Sequence, residues 1–310
     1  MAIIFSPDND ELPRLLELHK SLVEIQSISR SEGNATRFLT NYLRDKGFTV
    51  ETQHVRGEQE NVFAYVPGSR ECKVLITSHI DTVAPYFPYQ RDGDKISGRG
   101  TVDAKGCVAT QIMAVETLLY THQIAKGDVA MLFVVSEEDS GDGMRAANGL
   151  GLSWDAVIFG EPTELKLANG HKGILSVRLQ ANGKAGHSGY PETGRNAINT
   201  LVKCIVALNA INFPADNALG ESTINVGTIE GGVAVNIIPE KAGAKALIRV
   251  AAGEIHELEE LVRSEMAAVS SDVDVTFGKG DKAQLLDHDI EGWLPLNLGA
   301  SDGSLDSSHN

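Results

Sequence analysis

At 310 residues with 42% hydrophobic content, the chain is long for one hydrophobic core and has no apolar run of membrane-spanning length, which points to a two-domain globular protein and excludes a membrane span. The net charge of -15, without any basic stripe, excludes a nucleic-acid partner, because phosphate binding needs a cationic face. Cys72, Cys107 and Cys204 are far apart without CxxC spacing, and the opening MAIIFSPDNDELPRL lacks the basic and apolar regions of a signal peptide, so the expectation is free thiols in a reducing, cytoplasmic setting.

In chain order, ELPRLLELHKSLVEI predicts an amphipathic helix from Glu11 to about Ile25. Ser31 and Glu32 open a second helix to about Lys46, with Gly47 ending it. FTVETQHV and NVFAYVPG read as strands and VLITSH as a third, buried one. A helix over 104–122 and buried strands at 129–135 and 156–160 complete an alternating order that predicts an α/β layer with a mixed, largely parallel sheet and helices on both faces. Past Gly170 the pattern changes to strand 173–182, helix 196–211, strands 222–229 and 241–250, helix 254–269 and strand 273–277. That βαββαβ order predicts an inserted ferredoxin-like α+β domain. The expected organisation is 1–170 for the first segment of a site-bearing domain, 171–280 for the inserted domain, and 281–310 for a short return with a polar tail.

Three of the apolar strands end in residues of metal-ligand type: VLITSH in His79 with Asp81 beyond, MLFVVSEE in Glu137 and Glu138, AVIFGE in Glu161. Asp103 precedes the third helix. Each alone carries little, but parallel strands of one sheet bring their ends to one edge. Imidazole with carboxylates suits zinc or a similar divalent ion. Asp81, two positions from His79, sits better beside the ring than on the same ion, accepting its other N–H. Of the two neighbouring glutamates, one could bind metal and the other act as a base; spacing does not say which.

SHIDTV, GRGTVDAKG, SEED and GEPT, in that order, resemble the dizinc aminoacylase and carboxypeptidase family, which includes acetylornithine deacetylase, succinyl-diaminopimelate desuccinylase and glutamate carboxypeptidase. The likeness covers about residues 10 to 285 and is nearest in flavour to the acetylornithine deacetylase branch. It implies a zinc-exopeptidase-like fold with a dimerising lid. It implies two Zn2+ ions, with Co2+ able to substitute: His79, Asp103 and Glu161 on one, Asp103 and Glu138 on the other. Glu137 would be the general base, hydrolysing the amide of an N-acyl amino acid or dipeptide. GKAGHSGYP around His187 and GGVAVNIIPEKA around Asn236 resemble the lid motifs, His187 serving the partner subunit's site, and Asn236 and Arg249 resemble substrate contacts. Only about 30 residues follow the lid where the family has a longer segment with a late His ligand, so His309 in GSLDSSHN is the candidate for that place. Without it the second metal site would be incomplete, and the alternative is a truncated, non-catalytic chain that keeps the lid and only dimerises.

Overall fold

The computed structural model describes residues 11–287 and 295–296. Among them, residues up to 162 form one compact unit and residues from 163 onward another.

The first unit opens with α1 (Glu11–Glu24) and α2 (Gly33–Asp45). Gly47, with φ of 91°, turns the chain out of α2 through the left-handed region that glycine adopts at least cost. Strands β1 (Thr49–Arg56) and β2 (Gln59–Tyr65) follow as an antiparallel hairpin. Their connection is too short for the crossover that parallel pairing requires. Then come β3 (Val74–His79), α3 (Lys105–Tyr120), β4 (Val129–Val134), the short α4 (Asp142–Ala147) and β5 (Ala156–Phe159). The sheet order is β1-β2-β4-β3-β5. β2 meets β4 antiparallel, while β3 runs parallel to both β4 and β5, so the sheet is mixed and its parallel half lies around β3.

Alternation along β2 and β4 divides the core between the two faces. Val62, Ala64, Val129, Met131 and Phe133 point to α1, α2 and α3, meeting Leu18, Leu22, Leu39, Leu43, Val108 and Ile112. Phe63, Tyr65, Ala130, Leu132 and Val134 point the other way, toward Met144, Ala147 and Trp154 around α4. The three cysteines are free thiols.

The second unit contains β6 (Gly173–Asn182), α5 (Ala197–Asn209), β7 (Thr223–Gly231), β8 (Lys241–Val250), α6 (Ile255–Val269) and β9 (Val273–Asp281). Its sheet order is β7-β8-β6-β9, every pair antiparallel. This is the ferredoxin-like arrangement. Leu175, Val177, Leu179 and Ala181, every second residue of β6, are buried against Leu201, Cys204 and Leu208 of α5 and Leu258, Val262 and Met266 of α6. The Asn196 side chain caps α5 by accepting from the Asn199 N–H at 3.1 Å.

No helix among the described residues is long and apolar enough to cross a membrane.

Candidate metal centre

Strand register assembles the site. His79 closes β3 opposite Val134 of β4, and Thr77 lies opposite Phe159 of β5, so the residues just beyond each strand emerge on one edge of the sheet. Two further bonds extend the pairing: Ile80 N–H donates to Val134 O at 2.9 Å, and Gly160 N–H to Thr77 O at 2.7 Å. The first carries the chain toward Asp81 beside Glu137 and Glu138, and the second sets Glu161 beside His79. Asp103 arrives from the start of α3. That start is pinned by Lys105, which is 1% exposed and whose Nζ donates to Leu22 O at 2.9 Å and Ile25 O at 2.6 Å. His19 adds a contact to Thr101 O at 2.9 Å.

His79 is 1% exposed and stands at the centre. Its Nε2 lies 2.9 Å from Asp103 Oδ1, 3.7 Å from Glu161 Oε1 and 3.9 Å from Glu137 Oε2. One ligand atom each of His79, Asp103 and Glu138 falls within a mutual 4.8 Å. On the other ring edge, His79 Nδ1 sits 3.0 Å from the Asp81 backbone oxygen and 3.4 Å from its carboxylate. Asp81 lies beside the ring, with its backbone carbonyl rather than its carboxylate as the nearer acceptor. The carboxylate has a further task invisible in the sequence. It accepts from the Ser29 hydroxyl at 2.7 Å and from the backbone N–H groups of Glu137 and Glu138 at 3.0 and 3.2 Å.

The electrostatics are those of crowded anions around one ring. Burial opposes a charge on His79, yet the Asp103 and Asp81 carboxylates hold its pKa well above the ordinary value. Burial likewise opposes the charge on Asp81, but His79, Ser29 and the Glu137 N–H outweigh it and keep its pKa low. Glu138 is pushed up to about 7, first by burial and then by Asp103, with His79 opposing and Glu137 adding to the rise. Glu161, whose side chain is 42% exposed, is lifted to about 8 by its partial enclosure and by Glu137, Asp103 and Glu138, against the pull of His79. A divalent cation relieves this repulsion, and an imidazole among carboxylate oxygens is a donor set zinc accepts. The residues fit the ion.

In the second unit the structure brings His187 and Asn236 together. Gly186–His187 pairs with Ile237–Ile238, and Ser188 N–H donates to Asn236 O at 3.1 Å. His187 Nδ1 accepts from Gly189 N–H at 3.0 Å, which leaves Nε2 as the ring nitrogen turned outward. Arg249 lies near the end of β8, opposite Ile174 of β6 and Thr223 of β7. His309 lies outside the described residues.

Sequence reading missed a set of residues beneath the site. Glu32, expected to open α2, does precede it, but its side chain forms no cap. Instead the carboxylate is fully buried against Gln59 and Ser136. A glutamate beside a helix start reads as a cap or a solvated charge, and nothing local announces a partner so distant in sequence.

A two-unit chain that gathers one histidine and several carboxylates at the ends of parallel strands, with a ferredoxin-like unit following, defines the architecture of a metal-dependent hydrolase. Residues 169–273 match the model of the peptidase dimerisation domain of the M20 family. A peptidase M20 domain-containing protein of Schizosaccharomyces pombe is 46% identical over 282 residues, covering 90% of this chain and 70% of that protein. A probable carboxypeptidase of Aspergillus flavus is 41% identical over 314 residues, covering 90% of this chain and 72% of its own length. In fold, the chain resembles the M20 family metallo-carboxypeptidase of Sulfolobus solfataricus, with a TM-score of 0.70 at 19% identity over 87% of this chain and 79% of that one. The chain belongs to the M20 peptidase family.

Proposed function

We propose that this chain is a zinc-dependent peptidase or amidohydrolase that cleaves the amide bond of a small peptide or N-acyl amino acid with water. The observation that carries the reading is the convergence of His79, Asp103, Glu137, Glu138 and Glu161 on one sheet edge. His79, Asp103 and Glu161 would hold one ion and Asp103 and Glu138 a second, with His309 as a further donor to the second. When bound, the ions supply Lewis acidity, polarising the scissile carbonyl and acidifying water.

The chain's own groups supply the rest. Glu137, part-exposed and 3.9 Å from the His79 ring, takes the proton from the attacking water and returns it to the leaving amine. Asp81 holds the ring and the backbone that carries the glutamates. In a homodimer, His187 Nε2 would serve the partner subunit's site as a donor for the developing oxyanion, the Asn236 amide would be a further donor, and the Arg249 guanidinium suits a substrate carboxylate. The name carboxypeptidase borne by relatives favours a substrate with a free carboxylate. An acetylated amino acid of the acetylornithine type presents the same amide with an acyl group in place of a residue. The match to a dimerisation domain supports a homodimer. Against the reading of a non-catalytic dimerising chain stands the fact that the acid–base and ligand residues of the first unit all share one edge.

The test is a panel of dipeptides and N-acyl amino acids assayed with the purified, zinc-loaded chain. Expected are about two zinc ions per chain and hydrolysis that Glu137→Ala abolishes while metal content is unchanged. Stoichiometric zinc with no turnover across the panel would overturn the proposal.

A further inference from the structure

The loop between α1 and α2 carries none of the candidate metal ligands, yet it is laced to the site through Ser27, Ser29, Arg30 and Glu32. Ser27 Oγ donates to Ile80 O at 2.7 Å, Thr82 N–H to Ser27 O at 3.0 Å, and Ser29 N–H to Thr82 O at 3.1 Å, which lays the loop along the chain just past β3. Ser29 Oγ then reaches the Asp81 carboxylate, and Arg30 Nε reaches Asp139 at 2.6 Å. The last tie is Glu32, 0% exposed, whose Oε1 accepts from the Ser136 N–H at 3.1 Å, from Arg30 N–H at 3.0 Å and from Gln59 Nε2 at 3.1 Å. Gln59 Nε2 also donates to the Ser136 hydroxyl.

Ser136 immediately precedes the two glutamates and has a φ of 56°, in the left-handed region that a serine adopts only at a cost. Such a conformation persists where the surroundings over-determine it. Here the N–H groups of residues 136, 137 and 138 are all held by buried carboxylates, the first by Glu32 and the next two by Asp81. Fixing three successive amides fixes the direction in which the Glu137 and Glu138 side chains leave the backbone. Among the described residues the buried Glu32 carboxylate has no ion pair and is an expensive group to retain; it is held by the Ser136 and Arg30 N–H groups and by the Gln59 amide, which itself also bonds Ser136.

We propose that Glu32 is a positioning residue for the reaction, holding Ser136 in its left-handed turn so that Glu137 and Glu138 are aimed together; the proposal rests on the roles assigned to those glutamates above. Glu32→Ala, Glu32→Gln, Ser136→Gly and the Glu32→Ala/Ser136→Gly pair are compared with wild type for kcat, KM, thermal unfolding and zinc affinity by competition with a chromogenic chelator. Loss of an outer partner costs about 10- to 100-fold in metal affinity or activity. Glu32→Ala is expected to lower kcat by about that factor with KM within about twofold, and to weaken zinc binding by about tenfold. Glu32→Gln, whose amide oxygen still accepts from Ser136, recovers most of the loss, and Ser136→Gly recovers part of it in the Ala background by easing the turn. A purely structural role would lower the unfolding temperature and leave kcat and zinc affinity intact in the folded protein, and that result overturns the proposal. Should Glu32→Ala not fold, Gln59→Leu, which removes the shared donor, is expected to lower kcat and zinc affinity in the same direction; wild-type kcat and zinc affinity in Gln59→Leu overturn the proposal. Glu137→Ala measured alongside separates the two readings: if it stays active, the catalytic assignment fails, and the zinc competition with Glu32 variants still decides the positioning role.

Discussion

Glu116 of α3 offers a quantitative test of the first unit's electrostatics away from the metal centre. Its carboxylate is completely buried and bonded at 2.9 Å to Arg14, which keeps 29% of its side chain in solvent, while its other oxygen, Oε1, meets no hydrogen-bond partner among the described residues. Burial dominates and pushes the carboxyl from 4.5 to about 7, against the pull of Lys46, Arg14 and Tyr42. The native state therefore holds this proton more tightly than the unfolded chain does. The contribution to stability is greatest below pH 4.5 and declines as pH rises to about 7, beyond which it is flat. The two pKa values differ by an amount worth about 3 kcal/mol. Glu116→Gln keeps the shape and an acceptor for Arg14 but removes the titration. Urea unfolding of wild type and variant at half-unit intervals from pH 4.5 to 8 reads the difference directly, since the metal-site groups titrate in both and cancel. The variant should gain about 3 kcal/mol on wild type across that range, most of it between pH 5 and 7. A difference that stays constant with pH would refute the reasoning, because it would mean Glu116 ionises equally readily in both states.

Asp81→Asn should lower zinc affinity or kcat by about 10- to 100-fold, because an amide cannot accept from Ser29 and both glutamate N–H groups at once; chelator competition and steady-state kinetics check it. In the second unit, Asn196→Ala removes the cap of α5 and should cost about 1 kcal/mol, read from unfolding of an isotope-labelled or Trp-reporting second unit. Stripping zinc with a chelator should lower the unfolding temperature of the first unit. Adding it back at about 100 times Kd should restore about 2.7 kcal/mol, whereas an unfolding temperature indifferent to zinc would argue against binding to the native state.

Much of this architecture is legible in the chain because it is written locally. VAMLFVV is apolar throughout and VLITSH over its first three residues, and both strands are largely buried, while GILSVRLQAN alternates, as a strand with one open face does. AVIFG reads as buried by the same pattern, but the structure corrects this: Ala156–Phe159 is exposed at every position, at the end of the sheet order with a neighbouring strand on one side only among the described residues. The ligand-type residues could be found because each follows such a strand or opens a helix, and strand order does the rest. The antiparallel half of the first sheet, the hairpin at Gln90–Ser97 and the six-residue α4 were harder, since short elements have too few turns or alternations to register a period. Least legible were Glu32, Gln59 and Ser136. Their types are those of an ordinary surface loop, and only a fold that joins positions 104 residues apart makes them a buried node.

That separation also bears on how the protein comes into being. Ser29 meets Asp81 across 52 residues, Asp81 meets Glu137 across 56, and Arg30 meets Asp139 across 109. Contacts of such span close large loops, so they form only once most of the unit has condensed. The segment that trues the glutamates is therefore made before its partners and waits for them until residues up to 139 have followed it. Recovery of zinc binding after dilution from denaturant should accordingly trail the recovery of helical signal, making metal capture a timer for the last step of folding in this unit.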